Sequence, residues 1–315
     1  MSGEDEVKVR LSQRIANVPV LLYVISMVLV FLPGRMAERV TMSNPIAFIF
    51  VLTFIIVYFQ VKFGNKKGDK RQAKDIGTVV LVFFLLWEVV TTKMDWLPFI
   101  FVPAPENVFF VYIQLWDYML SGLARSMFLL MTGFIASLVI GVSLGIAVGW
   151  FPRLRQAVFP IAKAISTVPA IIYGPYIVVV MPTFTSASIL VIFFGTFWST
   201  FMNMINRVGT IDARIINTAK ILNVKTGTML FSIIMPYTLP RIINDMSVAL
   251  SISMMTLTFA EMIGADRGIG YFVRRSLDYA NYTQAFAGIF FIAVVITVLQ
   301  MLIAILKKSL IKWNY

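Results

Sequence analysis

The stretch TGFIASLVIGVSLGIAVG, residues 132–149, runs for 18 residues without a charged side chain. An uncharged apolar run of that order is what an α-helix needs to cross the roughly 30 Å hydrocarbon layer of a bilayer. Gly133, Gly141, Gly145 and Gly149 recur within it at multiples of four. In a membrane helix this spacing gathers small residues on one face and lets another helix approach closely. Ordinary packing within the chain is the simpler use of such a face and a subunit contact the other, so the run defines a spanning helix without defining a function.

The rest of the chain is of the same kind. Comparable apolar segments lie at about 16–33, 46–61, 76–93, 124–149, 157–181, 187–205, 242–263 and 285–306. Of 315 residues 59% are hydrophobic and 13% charged, where a soluble domain carries about a quarter; mean hydropathy is +0.86. Transmembrane β-barrels read as alternating segments of about ten residues, and none occurs. The fold class is therefore an all-α polytopic membrane protein. With no cysteine and no histidine, thiol chemistry, disulfides, histidine proton relays and most transition-metal sites are excluded. No metal site is expected.

The net charge of +12 matters for where it sits. Lys and Arg mark cytoplasmic loops. Segment 62–75, KFGNKKGDKRQAKD, holds six basic and two acidic residues, and 152–156, 206–241 and the C-terminal tail are basic too. If each of the eight segments crosses once, these four stretches share the cytoplasmic side and both termini join them. Arg274 and Arg275 fall on the other side, against the trend. No nucleic-acid partner is expected from this charge. Lys8, Arg10 and Arg14 precede the apolar run Val18 to Leu32, as in a signal peptide, but FLPGRMAERV offers no small-x-small cleavage site. That run is read as a retained, short spanning helix. In 94–123, three prolines precede an aromatic-rich stretch, which predicts a short helix lying along the outer surface.

Catalytic signatures are missing. GNKKGDK lacks the spacing and the Ser/Thr of a phosphate-binding P-loop. Glu88, Asp245 and Glu261 sit near span boundaries, whereas ion-coupled carriers place such groups near the midplane. What stands out is the polar stretch NTAKILNVKTGTMLFSIIMPYTLPRI, residues 217–242, lodged between apolar spans. It reads as a short amphipathic helix with Ile215, Ile216, Ala219 and Leu222 on one side. Asn223 suits the left-handed residue that ends helices. A second helix follows, and PYTLPR is expected to break it at the membrane edge. A helix–turn–helix projecting into the cytoplasm, with an uncovered apolar side, or a connector lying on the surface, fits these residues equally.

This stretch resembles the cytoplasmic loop of importer-type ABC permeases, E-A-A-x-x-x-G-x9-I-x-L-P. The matching positions are Asn217, Thr218, Ala219, Asn223, Ile233, Met235 and Pro236. Spacing is kept, while Glu, Ala, Gly and Leu of the pattern are Asn217, Thr218, Asn223 and Met235. FAEMIGADRGIGYFV, 259–273, is very similar to A-E-M-[IL]-G-A-x-x-G-[IL]-G-Y of the nitrate/sulfonate/taurine branch, and FVPAPENV, STVPAIIYGPYIVV and NMINRVG resemble further stretches of it. The likeness covers about 76–313. VVMPTF replaces the branch's W-F-G-x-G, Ser199 a proline, and Asp245 a glycine. Residues 1–75 have no counterpart.

The resemblance implies a six-helix type I importer permease core, 76–315, preceded by an extra N-terminal helix pair with a basic cytoplasmic loop, 1–75. It implies a transport subunit of a bacterial cytoplasmic (inner) membrane, multi-pass, and not an enzyme. Its implied partners are ABC ATPase subunits, a second permease copy or paralogue, an extracytoplasmic substrate-binding protein and the lipid bilayer. ATP and Mg would bind the partner ATPase, with no cofactor on this chain. The 212–240 loop would couple to that ATPase through Asn217, Thr218, Ala219, Lys220, Leu222, Asn223, Ile233 and Pro236, and drive alternating access. Pathway candidates are Pro169, Tyr173, Trp198, Asn203, Met255 and Glu261, with Arg267 as the expected partner of Glu261. The branch carries sulfonates, nitrate and similar small anions. A vitamin or heteroaromatic precursor is the alternative cargo; an ATP-independent carrier or a degenerate permease scaffold is the alternative class.

Overall fold

The computed structural model describes residues 18–32, 45–63, 69–98 and 100–310. The expected sidedness of both termini and of the centre of the basic loop, 64–68, lies outside these residues. Among the described residues the regular elements are all helical: α1 (Val18–Phe31), α2 (Pro45–Phe63), α3 (Asp69–Glu88, continued by a π-turn Val89–Lys93), α4 (Pro105–Gln114), α5 (Trp116–Trp150), α6 (Pro152–Ser166), α7 (Ala170–Val180), α8 (Phe184–Gly209), α9 (Ala213–Ile221), α10 (Thr226–Gly264), α11 (Ile269–Asp278) and α12 (Tyr282–Leu310).

Among the described residues five helices are long and apolar enough to cross a membrane: Lys74–Lys93, Trp116–Trp150, Phe184–Gly209, Thr226–Gly264 and Tyr282–Ser309. The pair α6 and α7, which meet at a bend of 90°, makes a sixth if the two together form one broken span. The apolar segment at 157–181 is thus broken and not the straight span expected. Pro169 explains the break: it caps α7 with extended backbone, it has no N–H for the preceding turn, and its ring disfavours helical geometry at Val168. With that pair counted, the number of crossings agrees with the six-helix core expected, and two shorter apolar helices, α1 and α2, precede them in the chain. At 14 residues, α1 spans only about 21 Å.

A second correction concerns PYTLPR. It does not interrupt the helix: α10 runs unbroken from Thr226 to Gly264, 39 residues. Met229–Ile234 forms a π-turn directly before Pro236. Bonding to the fifth residue back widens the coil where proline would otherwise collide with the preceding turn. The Thr238 hydroxyl donates to the Ile234 and Met235 carbonyls, 2.9 and 3.0 Å away.

The described residues divide into two compact units. One takes those up to Asp117 together with Ser276–Ala287; the other takes Tyr118–Arg275 and those from Gly288 onward. The first is organised around aromatic rings. Phe48 stacks on Phe109 at 5.7 Å, Phe84 and Trp87 flank them, and the Trp87 indole N–H donates to the Pro103 carbonyl at 3.0 Å. The short helix expected in 94–123 forms as α4 and is half sunk into its unit, with Val108, Phe109 and Val111 buried. Proline brings the chain in at Pro105, the first residue of α4.

Glu106 enters the same core, 3% exposed. Burial, and then the neighbouring charge of Glu88, push its carboxyl up to about 8. The folded state therefore holds a proton that the unfolded chain releases once pH exceeds the ordinary carboxylate value, and this unit loses stability as pH rises through that window to about 8. The thermal midpoint of the detergent-purified protein is expected to fall by about 5 °C between pH ~5.5 and ~8.5. Glu106→Gln, which carries its hydrogen-bond donor at every pH, should flatten that dependence.

In the second unit the glycines of α5 face α8. A Cβ at Gly133 would lie 2.8 Å from Ile192 Cβ, at Gly145 2.5 Å from Met204 Cβ, and at Gly149 2.7 Å from Val208 Cβ. The small face is used for contact inside the chain, where two helices pack too closely for any larger side chain. Leu129, Leu130, Phe134, Ile192, Leu250, Met254 and Leu257 close the core between α5, α8 and α10.

Candidate functional site: a polar hairpin, a trough between helices and a glutamate latch

Helix α9 starts at Asp212, whose carboxylate accepts from the Arg214 N–H at 2.8 Å. It stops at Asn223, which takes φ 50°. The Val224 N–H reaches the Ala219 carbonyl at 3.1 Å and the Asn223 N–H the Lys220 carbonyl at 3.0 Å. These are the two bonds of a Schellman stop, which requires a left-handed residue; after glycine, asparagine adopts that shape most readily. The pattern's Gly position keeps its conformation although its residue differs.

The apolar side of α9 is not uncovered, as the sequence suggested. Ala219 is 4% exposed, and Ile215 and Ile216 pack with it against Val142, Ile146, Val208 and Met229. Leu222 parts company with them because the helix has already ended there. It stands 71% exposed beside Ile221 at 80%. Asn217, Thr218, Lys220 and Asn223 share this open surface, Pro236 is also exposed, and Ile233 is half-buried. The hairpin is rigidly seated by one apolar face and presents a different one. Ile221 escaped the sequence reading. Its signal was its position two residues after Ala219, about 200° round the helix and so on the side away from the seated face.

Between α5, α8 and α10 lies a cavity of about 400 Å³. Ser199, Thr200, Asn203 and Arg207 approach it along one face of α8, and Asp245, Met246 and Ile252 from α10. Arg207 and Asp245 form a short hydrogen-bonded ion pair. Their side chains are 17% and 44% exposed. Asp245 lies 19 residues before Gly264, roughly 28 Å along the helix, so the pair occupies the end of the span nearer the hairpin.

At the other end of α10 the carboxylate of Glu261 is 1% exposed. Its Oε1 accepts from the Ser126 hydroxyl at 2.6 Å and its Oε2 from the Gly270 N–H at 2.7 Å, while Ser126 Oγ accepts from the Ile269 N–H at 3.0 Å. The partners are thus Ser126 and Gly270, not the expected Arg267. Two orphan N–H groups at the start of α11 are satisfied by side chains of α10 and α5. Gly268, at φ 127°, makes the turn possible; a Cβ there would strike the Glu261 carboxylate. The glutamate and glycines of FAEMIGADRGIGYFV form one latch. Beside it opens a basic recess of about 620 Å³ lined by Arg125, Arg267 and Arg275, with Asp266 and two tyrosines.

The other pathway candidates are spread apart. Asn203 lines the trough; Pro169 caps α7; the Tyr173 ring meets Phe194 edge-on at 6.5 Å; Trp198 sits among Phe197 and Phe201; and Met255 is 57% exposed. Of the six, Asn203 is the one in the lining of the trough. Arg207 and Asp245, which do meet, lie 38 residues apart at the edges of two different apolar runs.

A six-crossing helical core, a seated polar hairpin and a polar trough between helices define a transport permease. Residues 137–312 match the family of binding-protein-dependent transport system inner membrane components, and the chain belongs to that family. It is a subunit of an ABC importer, a multi-pass inner-membrane protein. It is similar to the taurine transport system permease protein of Escherichia coli, with 27% identity over 78% of this chain and 91% of the relative. It is also similar to the putative aliphatic sulfonates transport permease protein of Bacillus subtilis, with 26% identity over 79% and 91%. The nitrate import permease protein of Leptolyngbya laminosa is 24% identical over 60% of this chain and 68% of the relative. These place the chain in the nitrate/sulfonate/taurine branch.

Proposed function

We propose that this chain forms the translocation pathway of an ATP-driven importer of small anions, sulfonates foremost, and is moved by a separate ATPase that grips the α9 hairpin. The observation that carries the reading is the hairpin itself. A helix stapled to its own chain through Ala219, Ile215 and Ile216 presents Ile221 and Leu222 to the outside. A force applied at those two side chains is transmitted to α5, α8 and α10, the helices around the trough. ATP and Mg bind on the partner. The hairpin end, and with it both termini, face the cytoplasm; the Glu261 latch faces the substrate-binding protein. A second permease completes the pathway, which switches access by rigid-body rocking of helices. The substrates for which the relatives are named, taurine, aliphatic sulfonates and nitrate, support the anion class, and the Arg207 trough supplies a cation for it.

The test is uptake of a labelled C2 sulfonate into proteoliposomes holding the complete complex with its substrate-binding protein. Uptake that requires ATP on the cytoplasmic side supports the reading. Uptake without ATP, driven by an ion gradient, overturns it.

A further inference from the structure

The recess beside the Glu261 latch is walled by Arg125, Arg267 and Arg275, with Asp266 as countercharge, and by Tyr118 and Tyr271. Three guanidinium groups against one carboxylate give its lining an excess of positive charge. On the sidedness proposed above, these arginines stand on the side where Lys and Arg are sparse. The walls are held in place. Arg125 donates to the Thr185 hydroxyl at the start of α8. Arg274, next to Arg275, donates to the Ile263 carbonyl at 2.7 Å, which fixes α11 against the end of α10. Such a lining calls for an anion, and the planar guanidinium fork suits the oxygens of a phosphate group.

A second observation says what carries that anion. After Arg125, residues Phe128, Thr132, Ile135 and Val139 follow on α5 at steps of three and four, so all five share one face of the helix. Phe128, Ile135 and Val139 are 56%, 54% and 60% exposed. Thr132 donates its hydroxyl to the Phe128 carbonyl at 2.8 Å, so its donor is satisfied inside the helix. From Arg125 to Val139 the stripe is roughly 21 Å long, more than one leaflet's half of the roughly 30 Å hydrocarbon layer. Tyrosines at the recess suit the membrane–water interface. A soluble anion would use the recess and leave the stripe bare; a molecule with an anionic head and a long apolar tail uses both. We propose that the recess holds the phosphodiester of an anionic phospholipid, with one acyl chain lying along Phe128, Ile135 and Val139. The lipid bridges α5 and the 265–268 turn from outside and braces the latch that Glu261 holds from inside. Its site is at the opposite end of α10 from the trough, and its occupancy does not depend on which cargo is carried.

The experiment is native mass spectrometry of the purified full chain titrated with phosphatidylglycerol, and separately with phosphatidylcholine, whose net charge is zero. Wild type should bind phosphatidylglycerol about tenfold more tightly. Arg267→Gln with Arg275→Gln, both exposed side chains, should erase that preference and leave phosphatidylcholine binding as it was. Wild type is also challenged with two soluble competitors, inorganic phosphate and glycerophosphoglycerol, the same headgroup without acyl chains. Neither should displace the lipid at equal concentration. Displacement by either overturns the proposal, because the stripe then contributes nothing and the recess is a site for a free anion. A preference for phosphatidylglycerol that survives the double substitution overturns it as well. So does a double variant that keeps the lipid but no longer captures the substrate-binding protein, which would make the recess a protein dock.

Discussion

Replacing Ile221 and Leu222 together with aspartate is expected to abolish ATP-driven import while leaving the chain folded. Both side chains are more than two-thirds exposed, so the free permease loses nothing by the change. Docked on a partner, each would bury an aliphatic side chain contributing about 1.5–3 kcal/mol. Losing both, and burying two carboxylates in their place, should weaken the complex by more than about a hundredfold. The measurement is binding of the ATPase to the purified permease, with the thermal midpoint as control: affinity collapses and the midpoint stays. Ala219→Asp is the contrasting variant. It puts a charge into the cluster around Val142 and Met229 and should unfold the hairpin, so the midpoint falls with the binding.

The second large effect lies at the other end of α10. Glu261→Ala removes the acceptor for Ser126 and for the Gly270 N–H together. Leaving buried donors unsatisfied costs about 1–3 kcal/mol each, and more where the lost acceptor was charged. A fall in thermal midpoint of roughly 5–10 °C is expected, with import lost as α11 comes away from α5. Gly268→Ala should do the same from the opposite partner, since it puts a methyl group where the carboxylate sits and does so at φ 127°. Glu261→Gln, which keeps one acceptor oxygen, should fall between. A Glu261→Ala protein with an unchanged midpoint would show that the latch does not hold the loop.

These two sites were legible in the sequence to different degrees. The membrane class and the small face of α5 follow from features local to each segment, apolar length and the spacing of glycines; those segments alone counted eight crossings, and the six-helix core came with the family resemblance. Asn223 was readable for the same reason, because a helix stop is a matter of a few backbone torsions. What depended on neighbours was not readable. Pro236 and Pro240 look like breaks until the π-turn before them is seen. The apolar face of α9 looked open because the residues that cover it, on α5, α8 and α10, are remote in sequence. Glu261 was recognised as a carboxylate in need of a partner, yet Arg267, six positions after it, was the obvious candidate only along the chain. Ser126, 135 positions away, and a backbone N–H are invisible to a reading that looks for charges. Asp245 stood out as a boundary acid and Arg207 lay in a stretch read only as basic; the fold makes them a pair.

The measurement that bears most directly on the central claim is gentle detergent purification of the tagged chain from its native host, with mass spectrometry of what accompanies it. The account predicts a stoichiometric P-loop ATPase with the wild-type chain and its absence with the Ile221/Leu222 double aspartate. A chain that arrives without an ATPase, and whose vesicles still transport in the absence of ATP, would contradict it.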